Sequence, residues 1–205
     1  MAKKTEKLEL KALEIRRLTL EIESISPLMQ HRFAAKAGQI GGAKVGEDAP
    51  QRKKRDLRDP DREAAERVHT FGDGRFGIPT MAIKAAMISA AHKDIGIEKT
   101  LIRSNLFLES DGVDSRCGTQ LVEIDQKKYV IDEQAAKNAN GAPDMRYRPR
   151  FDHWRATLRF TYVSDRINAT QIATLVQRAG FTCGVGEKRP TQNGGDFGRW
   201  KLVEG

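Results

Sequence analysis

Residues 153–163 read HWRATLRFTYV, and their alternation decides the fold. Trp154, Ala156, Leu158, Phe160 and Tyr162 fall on one face, with Arg155, Thr157, Arg159 and Thr161 on the other. A period of two with one apolar face predicts a half-buried strand. The next stretch is as legible. In SDRINATQIATLVQRAGF (164–181), Asn168 stands where a helix N-cap is expected. Ile172, Leu175 and Val176 form an apolar stripe, and Gly180 is a stop signal. The chain then runs through CGVGEKRPTQNGGDFGRWKLV (183–203), where five glycines precede a last short strand. Glycine in such numbers costs backbone entropy. It serves either a plain turn or a backbone that must approach something closely, with N–H groups turned toward anions.

The N-terminal half has the same grammar. In LEIRRLTLEIESI (13–25), Leu18, Leu20 and Ile22 alternate with Thr19, Glu21 and Glu23, which predicts a strand ending near Pro27. IPTMAIKAAMISAAH (78–92) predicts a helix capped by Thr80, with Ile83, Met87 and Ala90 at helical spacing. Its many alanines suit close packing on a sheet. SNLFLE (104–109) reads as a strand. TQLVEID and KKYVID predict a small hairpin around Gln126, and EQAAKNANGAPD a polar loop. The core order is therefore strand, helix, strand, strand, helix, strand. That order predicts an α+β fold of one domain over residues 1–205, a ferredoxin-like, RRM-like antiparallel sheet with one face free for a ligand. Two long insertions interrupt it, 34–76 and 111–149. The first holds QRKKRDLRDPDREAAER, with seven basic and five acidic side chains, and Asp59-Pro60 is placed to start a short helix through Val68.

Bulk composition narrows function. The 205 residues carry a net charge of +8 and a pI near 9.6, a balance that favours polyanionic partners. Cys117 and Cys183 form no CxxC pair and have no histidine cluster beside them in the sequence. The expectation is two free thiols in a reducing cytoplasm, with no zinc site, no other metal and no cofactor. No apolar run reaches the ~20 residues of a membrane span.

Three stretches resemble the RAMP superfamily of CRISPR systems, and most closely its backbone-subunit type. ISPLMQHRF (25–33) resembles the family's apolar strand followed by SPL. IPTMAIKAAMISAA (78–91) resembles the start of its first helix, with Lys84 at the basic position. GVGEKRPTQNGGDFGRWKL (184–202) resembles the glycine-rich loop leading into the last strand. The length, the IPT in place of a small-residue motif and the inserted RPTQN fit a stand-alone relative from a phage or mobile element. The resemblance implies a finger- or web-like role for insertion 34–76 and a thumb-like one for 111–149. It implies head-to-tail assembly of copies along single-stranded RNA or DNA, with RNA preferred, and other CRISPR-like subunits as further partners.

On that reading, candidate contacts to the strand are Arg32, Lys84, Arg103, Arg146, Arg148, Arg150, Lys188, Arg189 and Arg199, with the backbone at Gly184 and Gly186 as a phosphate cradle. MRYRPRFDHWRATLR (145–159) holds five arginines against one acid, with Tyr147 and Phe151 placed to stack on bases. The expected protein is not an enzyme. The alternative is a guide-RNA-processing endoribonuclease using His31, which lies just past the first strand. A third class, an inhibitor mimicking a backbone subunit, would lack the arginines present here.

Overall fold

The computed structural model describes residues 12–32, 59–137, 143–192 and 194–203. Of the insertion read as finger-like, 34–76, residues 34–58 fall outside them. The principal sheet is four-stranded and antiparallel. Its order is β10 (Trp200–Leu202), β1 (Ile15–Ser24), β9 (Arg155–Val163) and β4 (Leu106–Leu108). β1 and β9 pair along their length, from Ile15↔Val163 to Glu23↔Arg155. The alternation read in the sequence sets this register, because a slip by one would turn every apolar side chain to water. Ile22, Leu158, Phe160 and Trp200 are fully or almost fully buried on one face.

That face is covered by α2 (Thr80–Ala90), through Ile83, Met87 and Ala90, and by α4 (Ala169–Arg178), through Ile172, Leu175 and Val176. Each of the larger side chains contributes roughly 1.5–3 kcal/mol by leaving water, and Ala90 less. Asn168 caps α4 as expected, and Gln171 reciprocates with its side chain on the Asn168 N–H, completing a capping box. Thr80 behaves otherwise. It is the first helical residue, not the cap, and its hydroxyl donates to the Gln120 carbonyl. Gly180 does not stop α4 either. A π-helical turn continues to Cys183, and Gly184, at φ +64°, ends it. A Cβ on Gly180 would lie 2.3 Å from the Trp200 carbonyl oxygen, so that glycine serves close helix–strand packing.

Two further three-stranded sheets draw their strands from residues 28–29, 77–79 and 112–151. One has the order β2 (Leu28–Met29), β8 (Pro143–Phe151), β7 (Val130–Lys137); the other is β3 (Gly77–Pro79), β6 (Gln120–Glu123), β5 (Gly112–Val113). The hairpin expected around Gln126 does not form. TQLVEID pairs with β3 and β5, whereas YVID opens β7, which pairs with β8 from Val130↔Arg150 to Lys137↔Pro143. The stretch read as a polar loop thus begins as strand. Asp132 and the alanines of β7 have low β propensity, and pairing with β8 overrides it. α1 (Pro60–Arg67) starts at the Asp59 cap as read, and Arg67 donates to the Tyr147 carbonyl of β8. A short helix, α3 (Lys99–Asn105), precedes β4 where the sequence reading had strand from Ser104. Among the described residues, no helix is long and apolar enough to cross a membrane.

Candidate nucleic-acid interface

The open face of the principal sheet is not a cationic platform. Arg155 and Lys201 both pair with Glu23, Arg159 with Asp111, and Arg17 with Glu109. Glu21, Glu123 and Asp125 line the same face. Its positive charges are matched there, so phosphates gain little by approaching.

A groove on the far side has a different balance. It runs along α2, whose small residues Ala82, Ala85, Ala86 and Ser89 form its floor. The opposite wall is the glycine-rich loop, through Gly184, Val185, Gly186, Arg189 and Thr191. This middle section is a cavity of about 310 Å3. At one end it shares Ala82, Gly186 and Arg189 with a cavity of about 280 Å3 that reaches His31, His69 and Gln192. At the other it shares Ala85 and Ser89 with one of about 240 Å3 bounded by His92, Lys99 and Arg103. Lys84 lies beside this end. Its ammonium donates to the Arg103 carbonyl at 3.0 Å and sits 4.7 Å from the Phe107 ring. Burial depresses the Lys84 pKa.

The loop's glycines are accounted for by its own packing. Gly184 and Gly186 have φ of +64° and +78°, in the region that favours glycine. A Cβ on Gly186 would stand 2.3 Å from the Met29 carbonyl oxygen, and one on Gly184 3.0 Å from that of Phe197. The Gly184 N–H donates to Ala179, Val185 to Gly198, and Glu187 to Met29, while Gly198 donates to Pro27. Both glycines approach the chain's own backbone closely, Gly186 at Met29 of β2 and Gly184 at Phe197. The two glycines shape the groove wall.

Glu187 fixes that wall to its surroundings. One carboxylate oxygen lies 3.0 Å from His31 Nδ1, the other 2.8 Å from Arg148 Nε. Burial alone would raise the Glu187 pKa; the contact with His31 and the Arg148 charge outweigh it and hold the carboxyl below its usual range. His69 is held similarly, with Nδ1 2.8 Å from a carboxylate oxygen of the buried Asp114. Burial lowers the His69 pKa in spite of that carboxylate.

The sequence-predicted contacts divide accordingly. Arg103, Gly184, Gly186 and Arg189 line the groove, with His31 at its end. The arginine row of β8 is on one strand face, but its members are engaged. Arg148 is 3% exposed, Arg150 bridges Asp132 and Asp152, and Arg146 faces Asp144 at 3.9 Å. Of the expected stacking pair, Phe151 is buried among Phe76 and Tyr129. Arg32 donates to the Glu66 carbonyl, and Arg199 stacks on Phe181; neither lines the groove sections, nor does Lys188. His69, His92, Lys99 and Gln192 were not singled out by sequence reading. His69 and His31 lie on different elements, and no local spacing marks their meeting. No protein-family model matches the chain, and no curated protein matches it either.

Proposed function

We propose that this protein binds single-stranded nucleic acid, RNA in preference to DNA, along the groove between α2 and the glycine-rich loop. The observation that carries the reading is the contrast of the two faces. The groove is bounded by Arg189, Lys99 and Arg103, with Lys84 beside it, whereas the open sheet face is ion-paired. The overall charge of +8 adds long-range attraction. We read the core as ferredoxin-like. The strand order β10-β1-β9-β4 and the two helices on one face support this, and β7–β8 stands where the thumb-like insertion is expected. The preference for RNA and head-to-tail assembly along the strand rest on the resemblance to CRISPR backbone subunits. So does any further CRISPR-like partner, whereas a cytoplasmic location rests on reading Cys117 and Cys183 as free thiols.

Fluorescence anisotropy with a labelled single-stranded oligonucleotide tests the reading across a salt series. Affinity should fall steeply with salt, and the slope should drop by about one for each phosphate-contacting cation removed. Arg103→Ala and Arg189→Ala should weaken binding, and Arg155→Ala should not. Equal affinity in all three variants, or no binding by the parent, would overturn it.

A second reading, an endoribonuclease, is favoured by one observation: His31 and His69, each held by a carboxylate, line the same cavity. Cleavage of RNA that is lost in His31→Ala with binding retained would promote it over simple binding.

A further inference from the structure

The turn joining β5 to β6 reads Asp114-Ser-Arg-Cys117-Gly118. It is tightly closed. The Asp114 N–H donates to Thr119, and the Gly118 N–H returns to Asp114 with Gly118 at φ +70°. Asp114 and Cys117 thus stand three residues apart on a rigid hairpin turn that ends in a left-handed glycine. That is the ligand spacing by which a hairpin presents two side chains to one metal ion.

The fold brings a third ligand type to the same point. The Ser115 N–H donates to the Thr70 carbonyl, and the Arg116 guanidinium donates to the carbonyls of Ala65 and Val68, so the turn is docked on the segment that carries His69. Gln30 fixes that segment from the other side, accepting from the His69 N–H and donating to the Gly77 carbonyl. One imidazole nitrogen of His69, one carboxylate oxygen of Asp114 and the Cys117 sulfur all lie within 4.8 Å of one another.

We infer that His69, Asp114 and Cys117 form a binding site for a single divalent ion of the zinc class. The donor set is one nitrogen, one oxygen and one sulfur, which suits a borderline ion such as Zn2+ and disfavours magnesium or calcium, which take oxygen donors. The remaining Asp114 oxygen accepts the Arg116 N–H at 2.8 Å, an outer contact of the kind that orients a ligating carboxylate. Asp114 is almost wholly buried and Cys117 is exposed, so three protein ligands leave a fourth position toward solvent. Binding would exchange ligand protons for the ion. The absence of a CxxC pair made a zinc site unexpected from sequence. Here aspartate takes the place of the first cysteine, and the histidine comes from a segment 45 residues away.

The test uses the full, tag-free chain, freed of metal with a chelator, kept reduced and titrated with Co2+. One equivalent should bind with a thiolate-to-cobalt charge-transfer band, and Zn2+ should displace it. Cys117→Ser, at an exposed position, should keep the parent's circular dichroism, lose the band and bind Co2+ more weakly by at least the ~10–100-fold that loss of an outer contact to a ligand costs. His69→Gln should also weaken uptake. No stoichiometric uptake, uptake without the thiolate band, or parent-like affinity in Cys117→Ser would overturn the site. The titration contains no nucleic acid; His69 also lines the end of the groove, so nucleic-acid binding is read separately, by anisotropy with the parent, Arg103→Ala and Arg189→Ala.

Discussion

Gly186 and Gly194 offer a matched pair for asking what the glycine-rich loop is for. Both have positive φ, +78° and +65°. Alanine at either must accept a left-handed backbone, at roughly 1–2 kcal/mol. Only Gly186 has a neighbour in the way. Its Cβ would lie 2.3 Å from the Met29 carbonyl oxygen, which itself accepts the Glu187 N–H at 2.9 Å, while nothing lies within 4 Å of a Cβ on Gly194. Relieving that overlap requires the loop to move off β2 and strain or lose this hydrogen bond. Overpacking of this kind adds about 1–3 kcal/mol. Gly186→Ala should therefore cost about 2–5 kcal/mol, and Gly194→Ala about 1–2. For a chain of this size each kcal/mol is roughly 2–4 °C in Tm. Urea unfolding of parent and both variants reads the difference directly. Equal destabilisation would refute the argument that contact with β2 makes glycine necessary at 186. Destabilisation of neither would show that the loop is a loose turn. The comparison also governs any binding experiment, because weaker binding by a Gly186 variant has to be read against the displacement of the groove wall.

Asn168→Ala removes the side-chain half of the α4 capping box, leaves the backbone N–H of residue 168 on Gln171, and should cost about 1 kcal/mol, read by thermal denaturation, with nucleic-acid affinity unchanged. The Glu187 pKa is lowered on folding, so the unfolded chain binds its proton more readily, and the stability it contributes is present above its unfolded pKa of about 4.3 and is lost as pH falls through the folded value. Glu187→Gln should flatten that acid limb in stability measured against pH; an unaltered limb would contradict the assignment. If copies assemble along a strand, deleting residues 134–143 from the β7–β8 ribbon should weaken oligonucleotide-dependent oligomers in sedimentation and spare the fold. A strict monomer with and without oligonucleotide would refute the assembly proposal.

Elements with a single clear period were legible in the sequence. β1, β9 and α4 appear where alternation, or a stripe with its cap, placed them, because each meets one partner face and its pattern records only that. The failures share a cause. TQLVEID and KKYVID are adjacent in sequence and alike in pattern, yet they belong to different sheets. Period two states that a segment is a strand without naming its partner. Thr80 has the chemistry of a cap, but Pro79 at the preceding position is followed directly by helix, and the threonine hydroxyl turns to Gln120 instead.

Residue type was a poorer guide to the site than to the fold, and the arginines show why. A row such as Arg146, Arg148 and Arg150 reads as a cationic strand edge when only its own stretch is visible. Its meaning depends on acids brought from elsewhere: Asp132 from β7 and Glu187 from the glycine-rich loop. Arg148, buried against Met29, cannot be left without Glu187, since an uncompensated buried charge is far costlier than an exposed one. The same carboxylate meets His31, so the segment just after β2, the β8 strand and the loop converge on one side chain. Two of the three stretches that carry the family resemblance, 25–33 and 184–202, are thus in direct contact through Met29, Gly186, His31 and Glu187. Their joint presence follows from packing alone. Among the described residues, the groove cations Arg189 and Lys84 donate to the carbonyls of Gly186 and Arg103 and not to carboxylates, and that is where the case for a ligand has to be made.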